Sequence, residues 1–227
     1  MMLKGLFIGK EFDDRGTPAA QIHPSSIDHL PVTRGITKAI AMPNSCVLSG
    51  PNGNLRFWCF REHRRNFNAE FFTSFPPISV LEIKELWVGQ AIQSDNRPWR
   101  QTVAGVRGAF GVLTKVEELT IVDCEMTPIS SVLGAADADI GILLPALRRL
   151  TIYAGSGNLD VAALVQCARV RKEHLRPFSE VTIVWEEVAE IQPIPWVESL
   201  RESVVEVNHR VGVAPKLVWT GTESNSW

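Results

Sequence analysis

The sequence predicts an α/β protein, a solenoid with one parallel strand per unit, helices on its convex side and a small antiparallel cap at the N-terminal end. Three observations predict it. One short apolar pattern returns along the chain at nearly constant spacing. The residues between its copies carry helical periodicity, as a parallel stack needs to bring the chain back to its starting edge. Ahead of the first clear copy, three β-rich runs are joined by turn formers.

The pattern reads apolar, two variable, apolar, one variable, apolar. Ile83, Leu86 and Val88 fit it in IKELWV, then Val116, Leu119 and Ile121 in VEELTI, Leu147, Leu150 and Ile152 in LRRLTI, and Phe178, Val181 and Ile183 in FSEVTI. Their first positions are 33, 31 and 31 residues apart, and three copies place Thr at one site, Thr120, Thr151 and Thr182. The alternating tail puts two apolar side chains on one face of a strand and the Thr on the other. Two further copies are expected, Leu55, Trp58 and Phe60 in LRFWCF, and Ala214, Leu217 and Trp219 in APKLVW.

Between the strands, Trp99, Val103, Val106, Phe110 and Leu113 form one helical stripe, opened by Pro98. Thr127-Pro128 reads as a cap and first-turn proline before Ile129, Val132 and Leu133. Val161, Leu164, Val165 and Ala168 follow Asn158 as another helix, and Trp196, Leu200, Val204, Val207 and Val211 as a further one. Phe67, Phe71 and Phe75 suggest one more.

Lys38 to Met42, Cys46 to Ser49 and Leu55 to Phe60 read as short strands, joined by Pro43-Asn44 and by the turn Gly50 to Asn54. They are expected to cap the open edge of the first repeat. Residues 1–35 carry little periodicity and are expected to be irregular or partly disordered. Residues 36–220 then form a single repeat domain, with 36–62 as the cap or first repeat and 63–220 as strand-helix units, because a unit that cannot cover its own apolar face must stack on its neighbours. Residues 221–227 are expected to form a flexible tail.

A chain of 227 residues, 45% hydrophobic and 21% charged, has the composition of a globular protein. A net charge of −2 provides no field to gather nucleic acid or an anionic membrane, so neither is an expected partner. The four cysteines, Cys46, Cys59, Cys124 and Cys167, form no CxxC pair and stand among apolar residues. They read as reduced, buried thiols, and a cytoplasmic or nuclear location is expected. The opening apolar run is too short for a signal peptide, and no stretch approaches the roughly 20 apolar residues of a membrane span.

The units resemble leucine-rich repeats, since LRRLTI matches the LxxLxL strand signature, although they exceed the usual length of about 20 to 29 residues. The run PALRRLTIYAGSGNLDVAALVQCARVRKEH with EVTIVWEE is similar to the degenerate leucine-rich-repeat region of F-box proteins from mushroom-forming fungi, over about residues 36–190. In such proteins an F-box docks on the adaptor of a cullin ubiquitin ligase while the repeats hold a substrate. The resemblance therefore implies a substrate-recognition module. The box itself is absent: Leu30-Pro31 matches its opening dipeptide, but no helical Leu/Ile pattern follows, so adaptor docking has no visible carrier.

No catalytic constellation emerges, and no cofactor or metal is expected. His23, His29, His63, His174 and His209 include no zincin pair, and Asp137 and Asp139 lack the other ligands of a calcium loop. Gly155-Ser156-Gly157 lacks a third spaced glycine and reads as a turn into a helix. Arg61 to Arg65 reads as a solvated helix start. Arg169, Arg171, Lys172 and His174 read as cations answering a helix C-terminus, with an acidic-partner patch as the other reading.

Strand alternation places Glu85, Glu118, Arg149 and Glu180 in one outward row and Trp87, Thr120, Thr151 and Thr182 in the next. This face is the expected protein-contact surface, with a partner of unknown identity. The chain is thus read as a non-enzymatic interaction module. A free-standing scaffold or truncated fragment without a ubiquitin link is one alternative, and an enzyme with an unrecognised site another.

Overall fold

The computed structural model describes residues 6–10, 33–42, 45–59, 82–89, 102–122, 124, 126–137, 141–154, 159–185 and 195–213. Among them the backbone forms an open, mostly parallel sheet of nine strands: β1 (Leu6–Lys10), β2 (Lys38–Met42), β3 (Ser45–Gly50), β4 (Gly53–Cys59), β5 (Glu85–Gly89), β6 (Glu118–Val122), β9 (Arg149–Ala154), β10 (Glu180–Trp185) and β11 (Glu206–Val211). Their order is β1-β4-β3-β2-β5-β6-β9-β10-β11. A separate two-stranded hairpin, β7 (Ala136–Asp137) with β8 (Gly141–Ile142), lies between β6 and β9 in sequence. Helices α1 (Val103–Val112), α2 (Met126–Leu133), α3 (Val161–Glu173) and α4 (Pro195–Arg201) occupy the successive intervals from β5 to β11.

The expected α/β class and antiparallel N-terminal strands are present. β3 is antiparallel to both β2 and β4, and β2 pairs with β5 in parallel, so this meander covers the edge of the first clear copy. The β3–β4 loop is Pro51-Asn52, with Gly50 opposite Gly53, and Asn52 Nδ2 donates to the Arg34 carbonyl at 3.2 Å. Gly50 admits no side chain, because a Cβ there would lie 2.7 Å from the Gly35 carbonyl oxygen. The copy expected at Leu55, Trp58 and Phe60 is not a stacked unit: its residues 55–58 lie in β4, which runs antiparallel to β3 and pairs with β1. Residues 6–10, within the segment expected to be irregular, form that outer strand.

A copy that the sequence conceals opens the parallel series. Ile36, Ala39 and Ala41 occupy the apolar positions of the pattern in and before β2, with alanine where the others carry leucine or a branched residue. At the other end, the helix expected from Trp196 to Val211 is corrected. α4 stops at Arg201, and Val204, Val207 and His209 complete a copy in and before β11, which pairs in parallel with β10. The β-branched Val204, Val205 and Val207 favour a strand over a continued helix. The copy expected at Ala214 to Trp219 lies outside the described residues, as do the helix expected at Phe67, Phe71 and Phe75, and Trp99 and Pro98.

The six leading positions, Ile36, Ile83, Val116, Leu147, Phe178 and Val204, are all buried. The inward strand positions, including Leu86, Leu119, Leu150 and Val181, join Val106, Phe110, Ile129, Val132, Leu164, Cys167 and Leu200 of the helices in one apolar core. Removal of this surface from water, at about 25 cal/mol per Å2, is the main force that holds strand to helix and unit to unit.

Each unit is also tied to the next by backbone. The Thr37 carbonyl accepts from the amides of Lys84 and Glu85, at 2.8 and 3.0 Å. The Lys84 carbonyl does the same for Glu117 and Glu118, Glu117 for Arg148 and Arg149, and Arg148 for Ser179 and Glu180. Every strand in this series therefore enters the sheet with its first amides satisfied.

Helix starts differ in detail from the expectations. Thr102 caps α1, its Oγ1 accepting from Gly105 N at 3.1 Å, and the exposed Val103 is not part of the buried stripe Val106, Ala109, Phe110 and Leu113. α2 begins at Met126, one residue before Thr127. α3 is capped by Asp160, whose Oδ1 accepts from Ala163 N at 2.9 Å, and not by Asn158. No described helix is long and apolar enough to cross a membrane.

Candidate functional site

The strand face opposite the helices carries the residues expected to make contact, and the register aligns them. Lys38, Glu85, Glu118, Arg149, Glu180 and Glu206 form one cross-strand row. Ile40, Trp87, Thr120, Thr151, Thr182 and Asn208 form the next. All eight expected residues thus lie where strand alternation places them.

The first row is accessible and internally paired. Lys38 Nζ donates to Glu85 Oε1 at 2.8 Å and sits 4.5 Å over the Trp87 ring, whose Nε1 also donates to Glu85. The Arg149 guanidinium donates to Glu118. Glu180 Oε1 accepts from Thr182 Oγ1 at 2.9 Å and from Asn208 Nδ2 at 3.2 Å, and Asn208 Nδ2 also donates to Glu206 at 2.9 Å. With two cations against four carboxylates the row is acidic, and among the described residues Glu180 and Glu206 have no cationic partner. The second row is more enclosed: Thr120 and Thr182 are 8% and 7% exposed, whereas Trp87 and Thr151 are half-buried. Accessible contact chemistry on this face therefore belongs chiefly to the charged row.

The remaining sequence candidates disperse. Among the described residues no three His, Cys, Asp or Glu side chains gather at metal-binding distance. His174 terminates α3, and His209 is exposed on the edge strand β11. Asp137 belongs to the β7–β8 hairpin, and His23, His29, His63, Asp139, residues 61–65 and residues 155–157 lie outside the described residues. Cys46, Cys124 and Cys167 are buried and free of disulfides. Trp185 packs on Trp196, with ring centroids 6.5 Å apart, as filler between β10 and α4.

Arg171 overturns an expectation. The sequence reads it as a cation answering the C-terminus of α3, yet it is fully buried, because it lies seven residues after Leu164 on the stripe that faces the core. Its Nη1 donates to the Leu143 carbonyl at 3.0 Å, and its Nη2 to the Leu144 and Leu147 carbonyls at 3.1 and 3.2 Å. The guanidinium also lies 4.9 Å from the Phe178 ring centroid. Burial pushes its pKa down to about 10. The side chain thereby pins the turn before β9, where Leu144 adopts a φ of 50°. Of the other helix-end cations, Arg169 and Lys172 are exposed, and Lys172 Nζ donates to the Glu202 carbonyl at 2.5 Å.

Two shallow hollows lie along the edge where the strands begin. One, of about 530 Å3, runs between the turns that precede β9, β10 and β11. The other, of about 350 Å3, lies beside α1 and the β8 turn, and the two share Pro145 and Arg176. Comparison with protein families, with curated proteins and with solved structures returns no match to the chain.

Proposed function

We propose that the chain is a non-enzymatic protein-interaction module, a leucine-rich-repeat-like solenoid resembling the substrate-recognition region of an F-box ubiquitin-ligase subunit. The observation that supports this reading is the register of six strands that lines up Lys38, Glu85, Glu118, Arg149, Glu180 and Glu206 on one open face. A continuous row of polar side chains on a rigid sheet suits the recognition of a protein surface, since repeat arrays bind through such extended faces. The excess of carboxylate in the row favours a partner that presents Lys or Arg.

The test is quantitative affinity capture from cell lysate with the wild-type chain and with Glu118→Ala, Arg149→Ala and Glu180→Ala combined. These exposed or half-exposed changes are expected to leave the far-UV CD signal intact and to deplete a specific set of partners. An unchanged set would remove the contact face from the proposal. Recovery of a cullin adaptor with the chain would support the ubiquitin link, and its absence under conditions that retain other partners would leave a scaffold without that link.

A further inference from the structure

The C-terminus of α3 holds a residue that the fold itself does not explain. The chain leaves the helix through a Schellman turn, with Leu175 N donating to the Lys172 carbonyl at 3.0 Å and Arg176 N to the Arg171 carbonyl at 2.8 Å. Such a turn puts the residue after the cap in the left-handed region, and Leu175 has a φ of 59°. Glycine occupies that region without steric conflict, and a leucine there is strained. Packing does not account for the leucine, because its side chain is 87% exposed. Strained residues in a well-determined turn point to a use beyond folding.

Leu175 stands on the rim of the larger hollow. Val205, which also lines it, is 84% exposed, so the hollow presents two large apolar side chains to water. Arg148 and Arg176 line the same hollow, both exposed, and no carboxylate lines it or pairs with either among the described residues. The chain as a whole is net acidic, so this concentration of positive charge beside exposed leucine and valine is local.

We propose that this trough along the starting edge of the strands binds a short, extended, acidic peptide segment of a protein partner. Leu175 and Val205 seat one apolar side chain, and Arg148 and Arg176 pair with the carboxylates that flank it. The trough crosses the two intervals from β9 to β11, roughly 10 Å at about 4.8 Å per strand, which an extended peptide spans with about three residues. None of the six residues of the charged row lines the trough, although Arg148 and Val205 directly precede Arg149 and Glu206 of that row.

The experiment uses the full chain and fluorescein-labelled hexapeptides in which one Leu, Phe or Ile stands between Asp and Glu residues, read by fluorescence anisotropy at low and high salt. Controls replace the acids with Lys or the apolar residue with Ser. Binding of the acidic apolar peptides, at least tenfold tighter than either control and weakened by salt, is the expected result. Leu175→Gly separates site from scaffold: it relieves the left-handed strain, so the variant should unfold at the same or a higher temperature while losing at least tenfold in peptide affinity. Arg148→Glu with Arg176→Glu should abolish binding with an unchanged CD spectrum. Equal binding of the Lys peptides, no binding of any acidic peptide, or wild-type affinity in Leu175→Gly would overturn the proposal.

Discussion

Replacement of Arg171 by Met is expected to be among the most damaging single changes in the protein. Met keeps an unbranched stem of similar reach but removes every donor, so the carbonyls of Leu143, Leu144 and Leu147 lose their guanidinium partner inside the core. A buried carbonyl without a partner costs about 1–3 kcal/mol, and hydrogen bonds to charged donors are the stronger ones. The Leu144 carbonyl keeps its bond from Leu147 N at 3.0 Å, so two carbonyls are orphaned, and their loss is offset in part by no longer burying a guanidinium that has no carboxylate beside it. A net loss of about 2–4 kcal/mol follows. For a chain of this size that corresponds to a fall of roughly 4–16 °C in Tm. Urea denaturation followed by tryptophan fluorescence, with a thermal scan beside it, measures both. Arg171→Lys should recover little, since a single ammonium cannot reproduce the fork that reaches three carbonyls. A loss below about 1 kcal/mol for Arg171→Met would refute the reasoning and assign the side chain's role to its stem alone.

The buried thiols predict an alkaline weakness. Burial holds the Cys46 thiol well above its ordinary value and pushes Cys167 from 9.0 to about 12, so the folded chain keeps protons that the unfolded chain releases. Stability is then full below about pH 9 and falls as pH rises toward 12, by about 1 kcal/mol per pH unit per thiol. Urea melts at pH 8 and pH 10 should show the loss, with Cys167→Ala flattening it. Arg171 contributes with the opposite sign, because its depressed pKa imposes a penalty below about pH 10 that eases as pH rises above it. Asp160→Ala should lower stability by about 1 kcal/mol in chemical denaturation, through loss of the α3 cap to Ala163. Gly134→Ala places a Cβ 3.0 Å from the Cys167 Cα and should cost about 1–3 kcal/mol by forcing α2 and α3 apart, whereas Gly111→Ala, with open space around it, should not.

Four strands and their register were legible because the period is countable and the branched residues repeat at fixed offsets. Ala39 and Ala41 concealed the copy in β2, since alanine fills an inward strand position without standing out as apolar. At the other end, Val207 and Val211 satisfy helical spacing and strand alternation at once, and His209 breaks the alternation on an edge that faces water. The alignment of the charged row was legible from alternation alone. The enclosure of Thr120 and Thr182 was not, because it depends on tertiary surroundings that periodicity does not encode. Arg171 could have been found, since it continues the stripe of Leu164, Cys167 and Ala168, but its place in the last turn of a helix was explanation enough for a cation. Leu175 left no sign: its strain arises from the turn geometry, and a glycine would have marked the position more plainly.

The carbonyl relay from Thr37 through Lys84, Glu117 and Arg148 makes the units exchangeable in length. Each link asks the next segment only for two successive amides, whatever side chains they carry. Excision of residues 116–146 would bring Arg148 and Arg149 to the Lys84 carbonyl and Arg149 opposite Glu85 in the sheet. Duplication of the same segment would extend the face by one rung. Evolution can therefore lengthen or shorten such a chain by whole units without redesigning a joint.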